Sequence, residues 1–303
     1  MFDSFIHKLR NGTYITLETT PSRSAQFQPI IEKIADLGLD HLVDGFSTTD
    51  NPLAKLKYNA LFAAMALQNR FNKPTLATMT MRDRNRIALQ SDLLGANEHG
   101  IQAILALTGD SAHYSDQPHA KGVFEGNSNL LIEIIKTLKK GKDLADQSLL
   151  FSPKPIFPFA VIDAYAKNTT ALQKKLSKKV HNGAVGIITQ PVYDLDNAKK
   201  LLSMMEIANN ELGISSEPST LVLGYFPITK LRTARFLDEN VPGIHVPSRW
   251  VEALEKASLI SPEEEYKVGF ELSKALFDDL KALHPKIHIM TANQFDLAKA
   301  ILS

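Results

Sequence analysis

Three polar residues sit where short apolar runs stop. In "TYITLETTPSRS" (13–24) an alternating stretch, with Ile15 and Leu17 on one side, ends on Glu18 just before Pro21. "IQAILALTGD" (101–110) ends on Asp110, and "AVGIITQPVYD" (184–194) carries Gln190 in front of Pro191. An acid, a second carboxylate and an amide brought to one mouth would suit proton transfer to a bound polar substrate. Taken singly, Asp110 or Asp83 could equally accept backbone N–H groups at a helix start. Glu18 is a poor cap, and Pro21 already ends its strand, so a purely structural role fits it less well.

The elements that must position these residues are legible as alternating short runs and amphipathic stretches. Strand candidates are "TYITLE" (13–18), "DHLVDGF" (40–46), "PTLATMT" (74–80) and "IQAILALT" (101–108). Four more are "PIFPFAV" (155–161), "AVGIITQ" (184–190), "STLVLGY" (219–225) and "KIHIMT" (286–291). Between them lie helical patterns such as "AQFQPIIEKIADLG", "LAKLKYNALFAAMALQNRF" and "TTALQKKLSKKVHNG". In the last, Leu172, Leu176 and Val180 share one face and lysines the other. Gly38, Gly100 and Gly183 stand where helices should close before a strand. Eight strands alternating with helices imply parallel pairing, and eight closes a barrel: the fold class is α/β, a single-domain (β/α)8 (TIM) barrel. "GIHV" (243–246) could be a ninth strand; it reads instead as part of a long excursion between the seventh and eighth. In such a barrel the C-terminal strand ends form the active face. Glu18, Asp110 and Gln190 belong there, with Asp163 after strand five and "STTDNP" and "TMTMRDRN" after strands two and three. The irregular stretch from Gly109 to Asn129 is long enough to be functional.

Composition narrows the classes. Of 303 residues 44% are hydrophobic, enough for one large core. Lys+Arg (34) and Asp+Glu (33) nearly cancel, so nothing points to nucleic acid or an anionic membrane. With no cysteine, disulfides and thiolate chemistry are excluded. No signal-peptide core or membrane-length apolar run stands out, which reads as a soluble, cytoplasmic protein. G-x-G-x-x-G, the P-loop, H-E-x-x-H and G-x-S-x-G are all missing. His113 and His119 share the long loop; His284 and His288 straddle Pro285 and read as solvated or strand-side residues rather than metal ligands. Spacing alone reaches a barrel enzyme with a carboxylate–amide mouth.

A resemblance carries further. "ETTPSR" (18–23), "TTDNPLAKLK" (48–57), "RDRNRIALQSDLLGANEHGI" (82–101), "LTGD" (107–110) and "GVFEGNS" (122–128) form an ordered set. "GAVGIITQPVYD" (183–194), "RTARFLDENVPGIHVP" (232–247) and "HIMTANQFDLAKAIL" (288–302) complete it. In this order and spacing the chain resembles the methylenetetrahydrofolate reductase family, most of all the reductase half of bacterial proteins that fuse a homocysteine methyltransferase to it. The resemblance implies a flavin-bearing (β/α)8 barrel. It implies reduction of 5,10-methylenetetrahydrofolate to 5-methyltetrahydrofolate, with FAD relaying hydride from NADH or NADPH, in the one-carbon metabolism that feeds methionine biosynthesis. It also implies a folate substrate, a homo-oligomer and a separate homocysteine methyltransferase as a partner.

By the same resemblance Glu18 falls on the catalytic glutamate, which protonates the departing amine nitrogen. Asp110 falls on the aspartate beside flavin and pterin, and Gln190 on the glutamine that hydrogen-bonds folate. FAD contacts are expected from Ser47, Thr48, Thr80, Thr108, Gly109, Asp110, Phe124 and Lys179, the lysine facing the pyrophosphate and the 109–129 loop covering the adenosine. The chain departs from the family pattern elsewhere. Thr78 stands at a usual His, Met81 at a usual Cys, Leu172 and Lys175 at FAD contacts, Leu231 at a stacking aromatic, Met290 at a Tyr and Gln294 at an Arg. Leu231 and Gln294 are still expected in the folate site. A divergent reductase without flavin or with another C1 carrier, and a non-catalytic folate-binding barrel, are the competing readings; an intact Glu18–Asp110–Gln190 trio speaks against the last.

Overall fold

The computed structural model describes residues 1–213, 217–241 and 243–303. All eight apolar runs supply a strand: β1 (Tyr14–Thr19), β2 (Gly45–Thr48), β3 (Thr75–Thr80), β4 (Ala103–Leu107), β5 (Phe157–Ile162), β6 (Gly186–Pro191), β7 (Thr220–Tyr225) and β8 (Lys286–Ile289). Each pairs in parallel with the next, and β8 pairs with β1, so the sheet is a closed barrel in sequence order. Parallel neighbours cannot be joined by a tight turn, and helices make the crossovers. α1 (Phe2–Asn11) precedes β1, and the crossovers up to β7 carry α2 (Gln28–Asp36), α3 (Ala60–Phe71), α4 (Arg86–Glu98), α5 (Ser128–Leu138), α6 (Thr169–His181) and α7 (Leu195–Asn210). Three more, α8 (Leu231–Asn240), α9 (Ser248–Ser258) and α10 (Pro262–Leu283), make the excursion before β8, and α11 (Phe295–Leu302) follows it. "GIHV" is irregular chain within that excursion, and Pro242 beside it lies outside the described residues. No helix among the described residues is long and apolar enough to cross a membrane.

Period-two alternation divides the core. Outward strand residues such as Leu17, Phe46, Ala77, Ile104, Ile187 and Leu223 pack against the helix layer. Inward ones, including Tyr14, Leu76, Leu105, Phe159, Ile188 and Val222, form a second cluster together with Phe2, Phe5, Ile6 and Leu9 of α1. That helix carries its apolar residues at i, i+3, i+4 and i+7 and lays them across the N-terminal end of the barrel. The Phe5 ring centroid is 4.9 Å from that of Tyr14 and 6.5 Å from that of Phe159. Gly45, the first residue of β2, leaves the room Phe5 fills, since a Cβ there would lie 2.8 Å from its ring.

Helix ends follow side-chain chemistry. Asn59, Asn85, Asn168, Asp194 and Ser261 each accept backbone N–H groups at a helix start. Gly38, Gly100 and Gly183 all have positive φ, as their positions led us to expect.

Two boundaries differ from those the sequence predicts. The second strand starts at Gly45, not Asp40, because Leu39–His41 form a 3-10 turn. Leu39 and Val43 are buried four residues apart, a helical spacing, and the Asp44 carboxylate is occupied by the Ile15 N–H and Lys8. The helix expected from Leu53 begins at Ala60, where Asn59 caps it. Residues 139–156, after α5, are a second long irregular stretch.

Phe5→Ala should remove the centre of the plug and cost about 3–5 kcal/mol, as for a large aromatic lost from a packed core. Urea denaturation of the two proteins checks this; a loss under about 1 kcal/mol would mean that α1 is dispensable to the barrel.

Candidate functional site

At the C-terminal ends of the strands is a cavity of about 340 Å3. Its apolar floor is Leu105, Leu107, Val161 and Ile188, and its polar wall includes Glu18, Thr78, Thr80, Asp110, Gln190 and His288. The alternation of β1 turns Tyr14, Thr16 and Glu18 inward, and Glu18, the last of these, reaches the mouth with its side chain 22% exposed. His288 comes from β8 by the same rule, on the side of Lys286 and Met290, and only 2% of its side chain is exposed. Its Nε2 stands 3.7 Å from Glu18 Oε2, an electrostatic contact rather than a hydrogen bond. Its Nδ1 is 2.8 Å from the Thr16 hydroxyl. The tautomer with the proton on Nε2 satisfies both neighbours: Thr16 donates to Nδ1, and an N–H faces the carboxylate.

Gln190 is set by an irregularity. The β6–β7 register shifts between Ile188 and Pro191. The Thr189 hydroxyl accepts the Gly224 N–H at 2.8 Å, and backbone of Thr189 and Gln190 fills the space a Cβ on Gly224 would need. Among the described residues Gln190 Oε1, a buried atom, has no hydrogen-bond partner. A buried acceptor left unpaired is costly, so it is a place for a ligand's donor.

The rim is fastened by charge. Asp50 is buried and accepts the Thr80 N–H and hydroxyl, both at 3.0 Å, and Arg84 at 2.6 Å; Arg84 also donates to Asp92 at 2.8 Å. Burial works against the Arg84 cation, but the two carboxylates outweigh it and raise its pKa. Arg82 grips Asp83 through Nε and Nη2 at 2.8 and 2.7 Å. Burial would push the Asp83 carboxyl up, yet the Arg82 guanidinium holds it below its ordinary value.

Of the expected site residues, Glu18, Thr80, Thr108, Gly109, Asp110 and Gln190 line this one cavity, and Met290 joins them. Ser47 and Thr48 do not. Both are buried, and the Thr48 hydroxyl donates to the Ala60 carbonyl at 3.0 Å. β2 runs two residues further than expected, to Thr48, and Thr49 and Asp50 line the wall instead. Phe124 is outside the cavity lining, on the long loop, where its N–H donates to the Met81 carbonyl at 3.2 Å. Lys179 stands behind the rim: its Nζ donates to the Ser128 hydroxyl at 3.2 Å, and the Ser128 N–H donates to Thr108 at 3.2 Å. Leu231 opens α8, with its N–H on Glu265 and its side chain against the core, and Gln294 is exposed before α11; neither lines the cavity. His288 is the strand-side histidine that its sequence context suggests, and Asp50 and Arg84 lie in the "STTDNP" and "TMTMRDRN" stretches expected at this face; the sequence assigns none of the three a role in the site. The alternation of "KIHIM" carried the signal for His288, since it sets that histidine on the face opposite Ile287 and Ile289.

Three comparisons bear on the chain. A family model described as methylenetetrahydrofolate reductase matches residues 5–303. No curated protein matches by sequence. Among solved structures, an uncharacterized protein from Clostridium thermocellum that binds two copies of 5-methyl-5,6,7,8-tetrahydrofolic acid is similar, with a TM-score of 0.66 at 14% identity. The match covers 98% of this chain and 97% of that one. Oxaloacetate acetylhydrolase, solved with the inhibitor 3,3-difluorooxalacetate, is similar with a TM-score of 0.50 at 14% identity, over 98% of this chain and 82% of that one. At such identities both likenesses are of fold.

Burial lowers the Lys179 pKa to about 8, against the opposing pull of Asp163. The charged form is therefore disfavoured in the folded state, and stability rises with pH between that value and the unfolded lysine's. Lys179→Met should raise the thermal midpoint at pH 7, and the gain should shrink as pH passes from 8 towards 10. Paired melting curves at both pH values test this; an equal gain at both would remove the buried charge as its cause.

Proposed function

Because the chain belongs to the methylenetetrahydrofolate reductase family, we propose that it reduces 5,10-methylenetetrahydrofolate to 5-methyltetrahydrofolate, with FAD as hydride carrier and NADH or NADPH as reductant. The observation that carries this reading is that Glu18, Asp110 and Gln190, far apart in sequence, line one cavity. In balance, the methylene carbon gains a hydride, its bond to N10 breaks, and N10 leaves with a proton. The nicotinamide nucleotide gives up the two electrons.

The residues fit a flavin. Bound FAD would supply the hydride relay. The floor of Leu105, Leu107, Val161 and Ile188 suits a ring face, and Thr78, Thr80 and Thr108 offer hydroxyls at its edge. A cavity of about 340 Å3 is at the small end of ligand sites and suits ring systems rather than a whole dinucleotide. A diphosphate would lie outside it, towards Lys179.

Within that site each residue has a task. Glu18 gives its Oε2 proton to N10 as the ring opens, which unmasks the electrophilic iminium. His288, shielded from water beside it, turns its Nε2–H towards the carboxylate and orients it, and the spent proton is restored to Glu18 from solvent at the open mouth. The Asp110 charge favours the cationic iminium, and the unpaired Gln190 Oε1 accepts an N–H of the pterin. The folate bound by the structural neighbour from Clostridium thermocellum is of the product's kind and supports a folate ligand here. A cytoplasmic homo-oligomer handing its product to a separate homocysteine methyltransferase completes the reading.

Glu18→Gln keeps size and hydrogen-bonding reach but removes the acid. General acid catalysis is typically worth about 10²–10⁴-fold. Flavin reduction by NAD(P)H should stay within about tenfold of normal, while folate reduction falls by at least ~100-fold. Stopped-flow spectroscopy at the flavin band separates the halves. Equal slowing of both would make Glu18 a flavin-positioning group, and no slowing of either would make it structural.

A further inference from the structure

Between β2 and α3 the backbone is strained in an unusual run. Asn51, Leu53 and Ala54 have φ of 45°, 55° and 56°, in the left-handed region that side chains rarely occupy. Strain of this kind persists only where the surroundings over-determine it, and it gathers at ligand clamps and switches. Here the fastenings are few. The Leu53 N–H donates to Asp110 Oδ2 at 2.6 Å. Arg82 Nη2 donates to the Asn51 carbonyl at 3.0 Å, and Asn51 Oδ1 accepts the Lys57 N–H at 2.9 Å. The Leu53 side chain is 47% exposed, and within the run only the small Ala54 is buried, so apolar packing holds one end of it. Pro52, within the run, forms part of the cavity wall together with Thr49 and Asp50.

The latch therefore belongs to the site it closes. Asp110 lines the same cavity as Glu18 and Gln190, yet its resolved hydrogen bond is spent on a backbone N–H of the strained run. Beside it Arg82 is buried to 2% exposure, and its Nη1 has no partner among the described residues. A carboxylate released from Leu53 thus has a cation close by to turn towards.

We propose that residues 51–54 are a strap, held in a strained closed form by Asp110, which springs open when a ligand in the cavity takes that carboxylate. The inference rests on the cavity's being the ligand site described above. It gives variants of one residue opposite signs. Leu53→Gly keeps the N–H and relieves the backbone, so the closed form gains. Leu53→Pro has no N–H and cannot take a positive φ, so the latch cannot close.

Amide hydrogen exchange over residues 50–58 of the whole protein reads the strap without any ligand. Exchange there should slow about tenfold in Leu53→Gly, the equilibrium factor for relieving one left-handed residue, and should quicken in Leu53→Pro. Ala54→Gly repeats the first result, and Asp110→Ala, read by exchange alone, breaks the latch from its other side should the proline variant fail to fold. FAD association, followed by flavin fluorescence, should be slower in Leu53→Gly and faster in Leu53→Pro. Saturating FAD should quicken exchange over 51–54 in the unaltered protein, the reverse of ordinary ligand protection. Exchange unchanged in both Leu53 variants, or slowed over the strap by FAD, overturns the proposal. Failure of FAD to bind the unaltered protein would count against the reductase reading alone, because ligand-free exchange still decides the strap.

Discussion

β1 is hydrogen-bonded on both sides, with Glu18 level with Ser47 of β2 and Thr16 level with His288 of β8. This double pairing closes the barrel and fixes which way every inward residue points. A slip of one residue on either side would turn Glu18 out among the helices and bring Leu17 into the mouth. The juxtaposition of Glu18, His288 and Thr16 is therefore a property of sheet register first and of side-chain choice second. It also explains why the acid stands at the strand end: deeper inward positions are taken by Tyr14, Leu76 and Phe159, which fill the barrel.

Above the strands, packing gives way to charge. The chain leaving β2 and β3 is held in shape by Asp50, Arg84 and Asp92 and by Arg82 and Asp83. Burying such charges costs desolvation that their attraction only partly returns. What the arrangement gains is definition: three donors on one Asp50 oxygen leave that loop little freedom. Removing one partner from such a set does more harm than replacing the set, because a buried charge is then left alone.

Much of this was legible in advance, for physical reasons that differ by residue. Strand positions followed from apolar runs bounded by glycine, proline or an acid, and the barrel followed from their number. Glu18, Asp110 and Gln190 were visible because each interrupts a run where a strand should stop. β2 was misplaced because Leu39 and Val43 satisfy a helical turn as readily as a strand when only their apolarity is read. Ser47 faces inward level with Glu18 but is covered, and Thr48 faces outward against α3, because β2 runs two residues past Phe46 before the chain reaches the mouth. Leu231 and Gln294 rest on likeness to other sequences alone, and neither lines the cavity. The ion-pair set around Asp50 could not be read at all, since its members come together only through tertiary structure.

The helix across the barrel floor has a consequence for how the chain is made. α1 leaves the ribosome before any strand, yet its apolar face belongs against Phe159, Ile188 and Val222, which emerge much later. Until then Phe2, Phe5, Ile6 and Leu9 have nowhere permanent to rest. The nascent chain carries a sticky amphipathic segment through most of its synthesis, and contacts of such long sequence separation form late. A holdase that shelters the first dozen residues would act on the step where this barrel is most open to association with its neighbours.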